Sequence, residues 1–230
     1  AATATWEIGN PALRAERSLN LDMSLRRTAG TIRWKAGVFA NRFSNYLYGR
    51  TTDENGDGVA DRVDHDNQVI NSPADPGAGE LTRLAYTQAG ARFAGLEFEV
   101  DWRPTGSSWS LRGFGDLARG RIDGEGNAPR MAPARLGIAA DWQRGPWSGF
   151  VSLLAVQGQR RLAALETRTA GYRRVDAEIA HRIGSGERSF TVFVQGRNLL
   201  DETIRLHTSW VKDQVPLAGR SVLAGVRARF

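Results

Sequence analysis

The sequence predicts an all-β chain, an antiparallel up-and-down meander of about nine long strands forming the C-terminal part of a larger transmembrane β-barrel. Three observations carry that expectation. Apolar and polar residues alternate with period two along most of the chain. Short and long connections alternate without exception. Tryptophans cluster at segment ends, beside the short connections.

The alternation is clearest in Leu19-Asn20-Leu21-Asp22-Met23-Ser24-Leu25-Arg26, where every odd position is apolar and every even one polar. Leu96-Glu97-Phe98-Glu99-Val100-Asp101-Trp102 repeats it with a fully acidic second face. Successive side chains of a strand point to opposite sides, so such segments make strands with two unlike faces. Strands are expected at 18–27, 31–48, 82–102, 107–120, 134–143, 147–159, 171–183, 188–198 and 219–230. At about 9 to 20 residues they exceed the mode of ~5–6 in globular sheets and suit a tilted bilayer crossing. No segment shows a helical period.

Between the strands, Thr28-Ala29-Gly30, Arg103-Pro104-Thr105-Gly106, Arg144-Gly145-Pro146 and Gly184-Ser185-Gly186-Glu187 read as tight turns. The other connections, 49–81, 120–133, 159–170 and 199–218, are long and polar. A soluble sandwich has no reason to sort its loops by parity, whereas an outer-membrane barrel keeps short turns on the periplasmic side and long loops outside. Trp102, Trp109, Trp142 and Trp147 flank two of the short turns, as an interfacial girdle would. An odd number of strands leaves two edges to be paired, so further strands are expected in the whole barrel.

Composition narrows the classes. The chain has 230 residues, no cysteine and a net charge of +6, and no apolar run approaches the ~18 residues of a membrane helix. Residues 1–7 show neither a basic nor an apolar leader pattern, so no signal peptide is expected there. Of its 31 basic residues only Lys35 and Lys212 are lysines; the arginines are spread among 25 acids without a basic run. Nucleic acid is therefore not an expected partner. No nucleophile elbow, phosphate loop or zinc-hydrolase motif is present, and no enzyme activity is expected.

The end of the chain carries the most specific signal. Gly196-Arg197-Asn198-Leu199-Leu200-Asp201-Glu202, then Pro216-Leu217-Ala218-Gly219-Arg220 and alternation to Phe230, resembles the end of TonB-dependent outer-membrane receptors. Near the start, Glu7-Ile8-Gly9-Asn10-Pro11-Ala12-Leu13-Arg14-Ala15-Glu16-Arg17-Ser18 looks like an extracellular segment of the same family. Segments 41–48, 127–130 and 166–169 resemble its zinc-acquiring ZnuD-like branch. The resemblance implies that residues 1–230 are part of a receptor barrel of about 22 strands, with plug and N-terminal strands absent. It implies a bacterial outer-membrane location and active uptake of a metal ion or small metal chelate, such as zinc or a siderophore. The implied partners are outer-membrane lipid, the TonB complex acting through the plug, and the barrel-insertion machinery, which would read Phe230 as an assembly signal.

Two motifs bear on ligands. Asp53, Asn55, Asp57, Val59, Asp61 and Asp64 fall at the spacing of a calcium loop, with Gly58 at the sharp turn and the Val59 carbonyl as one ligand. Asp64 replaces the usual bidentate Glu, and the alternative is a solvated acidic loop. No cofactor is required; Ca²⁺ in this loop is the one candidate. His65 and His207 fall on long loops and are candidate substrate contacts, imidazole being a common metal ligand. The competing function class is a soluble, calcium-dependent β-sandwich binding module.

Overall fold

The computed structural model describes residues 5–54, 56, 58–64, 66, 68–70, 81–185 and 188–229. Among them are twelve strands and no helix: β1 (Thr5–Ile8), β2 (Ser18–Arg27), β3 (Ile32–Thr51), β4 (Arg62–Val63), β5 (Leu81–Trp102), β6 (Trp109–Ile122), β7 (Gly126–Asn127), β8 (Arg135–Arg144), β9 (Trp147–Val156), β10 (Tyr172–Ser185), β11 (Arg188–Arg197) and β12 (Ser221–Arg229). Nine of these run as a meander in one sheet, β2-β3-β5-β6-β8-β9-β10-β11-β12, each hydrogen-bonded to its neighbours in sequence. They are the nine strands expected, with ends shifted by at most three residues. The three short strands were not foreseen: β1 and β4 add to β5, and β7 adds to β6. No second sheet stacks on the first among the described residues, so the soluble sandwich is not favoured.

The chain divides into two compact units. The first comprises Ala1–Asn20, Asn41–Arg92 and Arg121–Gly126. Within it β1 pairs parallel to the start of β5, Thr5 against Thr82 through Ile8 against Ala85. Its buried side chains include Val63, Ala91, Ile122 and the carboxylate of Asp61.

The second unit comprises Leu21–Ala40, Phe93–Gly120 and Asn127–Phe230. Here register aligns the apolar positions across strands: Ile138 opposite Leu153, Leu153 opposite Val175, Ile179 opposite Val194, and Val192 opposite Val226. These side chains are not buried by the chain. Leu21, Trp34, Phe98, Val100, Ile138, Val151 and Val226 are between 37% and 63% exposed, which is the lipid-facing side of a membrane strand and not half of a sandwich core. At the short-turn end, Trp109 stands opposite Trp142 with ring centroids 6.2 Å apart, and Trp147 lies 4.3 Å from His181.

Glycines let aromatic rings lie flat across the sheet. A Cβ on Gly225 would come within 2.7 Å of the Phe193 ring, and one on Gly115 within 2.7 Å of Phe98. Gly137, paired with Phe114, is covered by that ring in the same way. Each missing side chain gives its neighbour a packing surface.

Candidate functional site

The polar face of the second unit is a row of ion pairs. Lys35 lies 2.6 Å from Glu97, Arg112 3.2 Å from Asp101, Arg174 2.8 Å from Asp176 and Arg227 3.3 Å from Glu178; Arg135 pairs with Asp116. These side chains are partly exposed, and each pair contributes about 0–1 kcal/mol. Acids on alternate residues of β5 pair with basic residues of the flanking strands β3 and β6, whereas on β10 Asp176 pairs within its own strand and Glu178 reaches past β11 to β12, as expected for a watery wall.

The motif residues at the end of the chain meet in space. Asn198 is 3% exposed and sits at φ +48°, an uncommon conformation that Asn tolerates better than most residues. Its Nδ2 donates to the carbonyls of Glu202 (2.9 Å) and Ala218 (3.3 Å), and its Oδ1 accepts from the Glu202 amide (3.2 Å). The Asn198 amide in turn donates to Asp176 Oδ1 at 2.9 Å. Three residues on, Asp201 at φ +57° accepts from the Arg220 amide at 2.9 Å and faces its guanidinium at 3.3 Å. Together these bonds tie the two ends of the 199–218 loop to each other and to β10.

His207 lies inside a junction between the 199–218 loop and the 157–171 loop. Its side chain has no exposure. Nδ1 is 2.8 Å from the Thr169 hydroxyl, while Nε2 is 3.5 Å from Glu166 Oε1, longer than a formed N–H···O bond. Burial pushes the imidazole pKa down; Glu166 acts against that, and Lys212 and Arg130 add to it. The Glu166 carboxylate is already held by two backbone donors, the Arg130 amide at 2.6 Å and the Ala163 amide at 2.9 Å. Arg130, at φ +56°, lays its guanidinium over Trp210. Beside it, Lys212 Nζ donates to both Asp213 oxygens at 2.8 and 2.9 Å, and the Thr167 hydroxyl donates to Asp213 at 2.6 Å, which holds that carboxyl below its usual range. His207 is thus part of a loop junction in this conformation and meets no open cavity. Segments 127–130 and 166–169, noted in the sequence without a role, form the other side of the same junction.

In the first unit, the segment from Glu7 to Ser18 is anchored by its motif residues. Tyr86 donates to Glu7 at 2.7 Å, Asn10 donates to the Tyr86 carbonyl at 3.3 Å, and Glu16 accepts from the Leu47 amide at 2.6 Å. Tyr48 donates to Glu125 at 2.9 Å. These contacts fix the fold of the unit.

The Asp53–Asp64 segment belongs to this unit too. Gly58, at φ +82°, makes the turn foreseen there, and its amide donates to Asp53 Oδ2 at 3.0 Å. Asp61 is fully buried; its carboxylate accepts from the Glu54 amide at 3.1 Å and lies 3.9 Å from Arg83. Asp64 Oδ1 accepts from the amides of Asp66 and Gln68, both at 2.9 Å. Val59 is 59% exposed. Among the described residues, no three His, Asp or Glu side chains converge as a metal site. Asn55, Asp57, His65 and the terminal Phe230 lie outside the described residues.

Comparison with known proteins places this architecture. The copper transporter OprC matches with a TM-score of 0.72 at 17% identity, covering 96% of this chain and 31% of its own. The FrpB iron transporter from Neisseria meningitidis matches with a TM-score of 0.66 at 13% identity, over 97% of this chain and 32% of its own. The siderophore receptor PirA from Pseudomonas aeruginosa matches at 0.60 and 15% identity, over 98% and 32%. The chain thus spans about a third of the length of these structures. Two of these are metal transporters and the third is a siderophore receptor. A family model described as "TonB dependent receptor-like, beta-barrel" matches residues 1–199. The chain therefore belongs to the TonB-dependent receptor β-barrel family and is an outer-membrane β-barrel segment.

Proposed function

We propose that the chain is the C-terminal portion, residues 1–230, of the barrel of a receptor that imports a metal ion or small metal chelate. In this reading TonB drives import through a plug domain outside these residues. The observation that carries the reading is a sheet with one exposed apolar face and one ion-paired polar face. It aligns over nearly its whole length with transporters of copper and iron and with a siderophore receptor. Outer-membrane lipid would cover the first face and the plug would fill the space along the second.

Zinc is the first substrate to test, because segments 41–48, 127–130 and 166–169 and His207 resemble the zinc-acquiring branch. His207 would meet the substrate only after its two loops part, whereas His65 is offered as a contact on sequence alone. The test is accumulation of radiolabelled zinc, copper and ferric siderophores in cells carrying the full-length receptor, with and without a working TonB. Accumulation of one of them, lost without TonB, supports the reading. No TonB-dependent accumulation of any metal or chelate contradicts it. Unchanged uptake by His207→Gln and His65→Gln would remove both histidines as contacts.

A further inference from the structure

The lipid-facing side of the second unit is apolar almost throughout, which isolates the few side chains that are not. The rows of Ile138, Val151 and Ile179 on β8, β9 and β10 carry no Asp or Glu among the described residues. Near the short turns, one line across these strands departs from the apolar pattern. Arg144 stands opposite Trp147, and Trp147 stands opposite His181. The next strand continues the line with apolar Val192.

These three side chains bring donors to the surface without an acceptor. The imidazole packs on the Trp147 ring, centroids 4.3 Å apart, and His181 Nδ1 is enclosed with no hydrogen-bond partner among the described residues. Nε2 is then the nitrogen left to meet a ligand. Trp147 is 44% exposed and Arg144 is exposed, and neither meets an acceptor among the described residues. An arginine on a lipid face is costly at the midplane and nearly free at the interface, so Arg144 fixes this line at headgroup depth. The Trp109–Trp142 pair on the neighbouring strands marks the same zone. Arg144 and His181 flank β9, two strand spacings or about 10 Å apart at the backbone, with the indole between them. One phosphate group in that gap can accept from all three, and guanidinium binds phosphate through paired hydrogen bonds.

We infer that Arg144, Trp147 and His181 form a binding site for the phosphodiester of an anionic phospholipid in the periplasmic leaflet. The short turns lie on that side of the barrel. The acyl chains run up the sheet over Val151 and Ile179, which are 45% and 50% exposed. A net negative headgroup complements a line that carries an arginine and no acid. The site depends on the outer-membrane barrel and not on import.

The test uses the full-length receptor, stripped of native lipid in detergent, with dioleoyl phosphatidylglycerol as the probe and native mass spectrometry as the readout. Wild-type receptor should hold one more tightly bound phosphatidylglycerol than Arg144→Gln/His181→Gln, in which that site weakens by about tenfold, the loss of a charge-assisted hydrogen bond. Arg144→Lys should keep part of the binding. Arg173→Gln, at the opposite end of the same face of β10, should leave it unchanged. Dioleoylglycerol, which has the chains without the phosphate, should not discriminate wild type from the double variant. Heat-dependent gel mobility checks that each barrel is folded. Equal retention of phosphatidylglycerol by wild type and the double variant overturns the inference. So does an equal loss in Arg173→Gln, or a loss of dioleoylglycerol as large as that of phosphatidylglycerol. None of these results touches the receptor reading, because lipid retention is measured without TonB or import.

Discussion

Asn198→Ala should open the last loop while leaving the sheet in place. The substitution removes three side-chain hydrogen bonds, two to the Glu202 backbone and one to the Ala218 carbonyl. At ~1 kcal/mol each, with the longest worth less, they contribute about 2–3 kcal/mol. Alanine must also hold φ +48°, which adds about 1 kcal/mol. The sum, roughly 3–4 kcal/mol, falls on loop closure, because Asn198 joins the two loop ends and leaves the strand ladder intact. At 1.4 kcal/mol per decade this is at least a ~100-fold rise in loop opening. Hydrogen exchange of the full-length receptor reads it directly, at the Glu202 amide bonded to Asn198 and the Leu217 amide bonded to Ile204. Asn198→Gly, which accepts the same φ, should show an effect about fivefold smaller. Unchanged exchange over 199–218 in Asn198→Ala would refute the clamp. Equal loss of protection in β11 would refute its restriction to the loop.

Three further outcomes follow. The folded-state pKa of His207 is depressed below 6.5, so its contribution is complete above that value and declines as pH falls toward the folded pKa. Protection factors over 199–218, with the intrinsic pH dependence of amide exchange divided out, should therefore fall as pH drops below 6.5, and a His207→Gln receptor should lose that pH dependence; an identical slope in both would assign it elsewhere. Titration calorimetry should detect Ca²⁺ binding to the receptor and none to Asp53→Ala/Asp57→Ala, and null heats from both would leave a solvated acidic loop. Deleting Phe230 should lower the amount of receptor in the outer membrane with near-normal melting and uptake per molecule. Normal abundance with impaired uptake would point to a contact with the plug.

The strands were legible because one face meets lipid and the other water, so the period-two signal in segments such as 19–26 and 96–102 is undiluted. Gly30, Gly106 and Gly145 marked turns for the same local reason, and all three adopt positive φ. The strand Thr5–Ile8 was missed because four residues carry little periodicity and its pairing with β5 is long-range. The ends of the last loop were named as motifs, yet that Asn198 reaches Ala218 depends on the loop's path and not on spacing. The His207 junction was less visible still. Arg130 and Leu165 adopt positive φ without being glycine, and the burial of His207 arises only when two loops distant in sequence dock. A loop histidine therefore looked accessible when it is enclosed.

The central claim is that one face of this sheet meets lipid and the other does not. Spin labels placed one at a time at Ile138, Ala139, Val151 and Ser152 of the full-length receptor in lipid vesicles test it most directly. Labels at 138 and 151 should be readily reached by oxygen dissolved in the bilayer and shielded from a water-soluble nickel reagent, with the adjacent positions showing neither property. Equal accessibility at neighbouring positions, or nickel access at 138 and 151, would contradict the account.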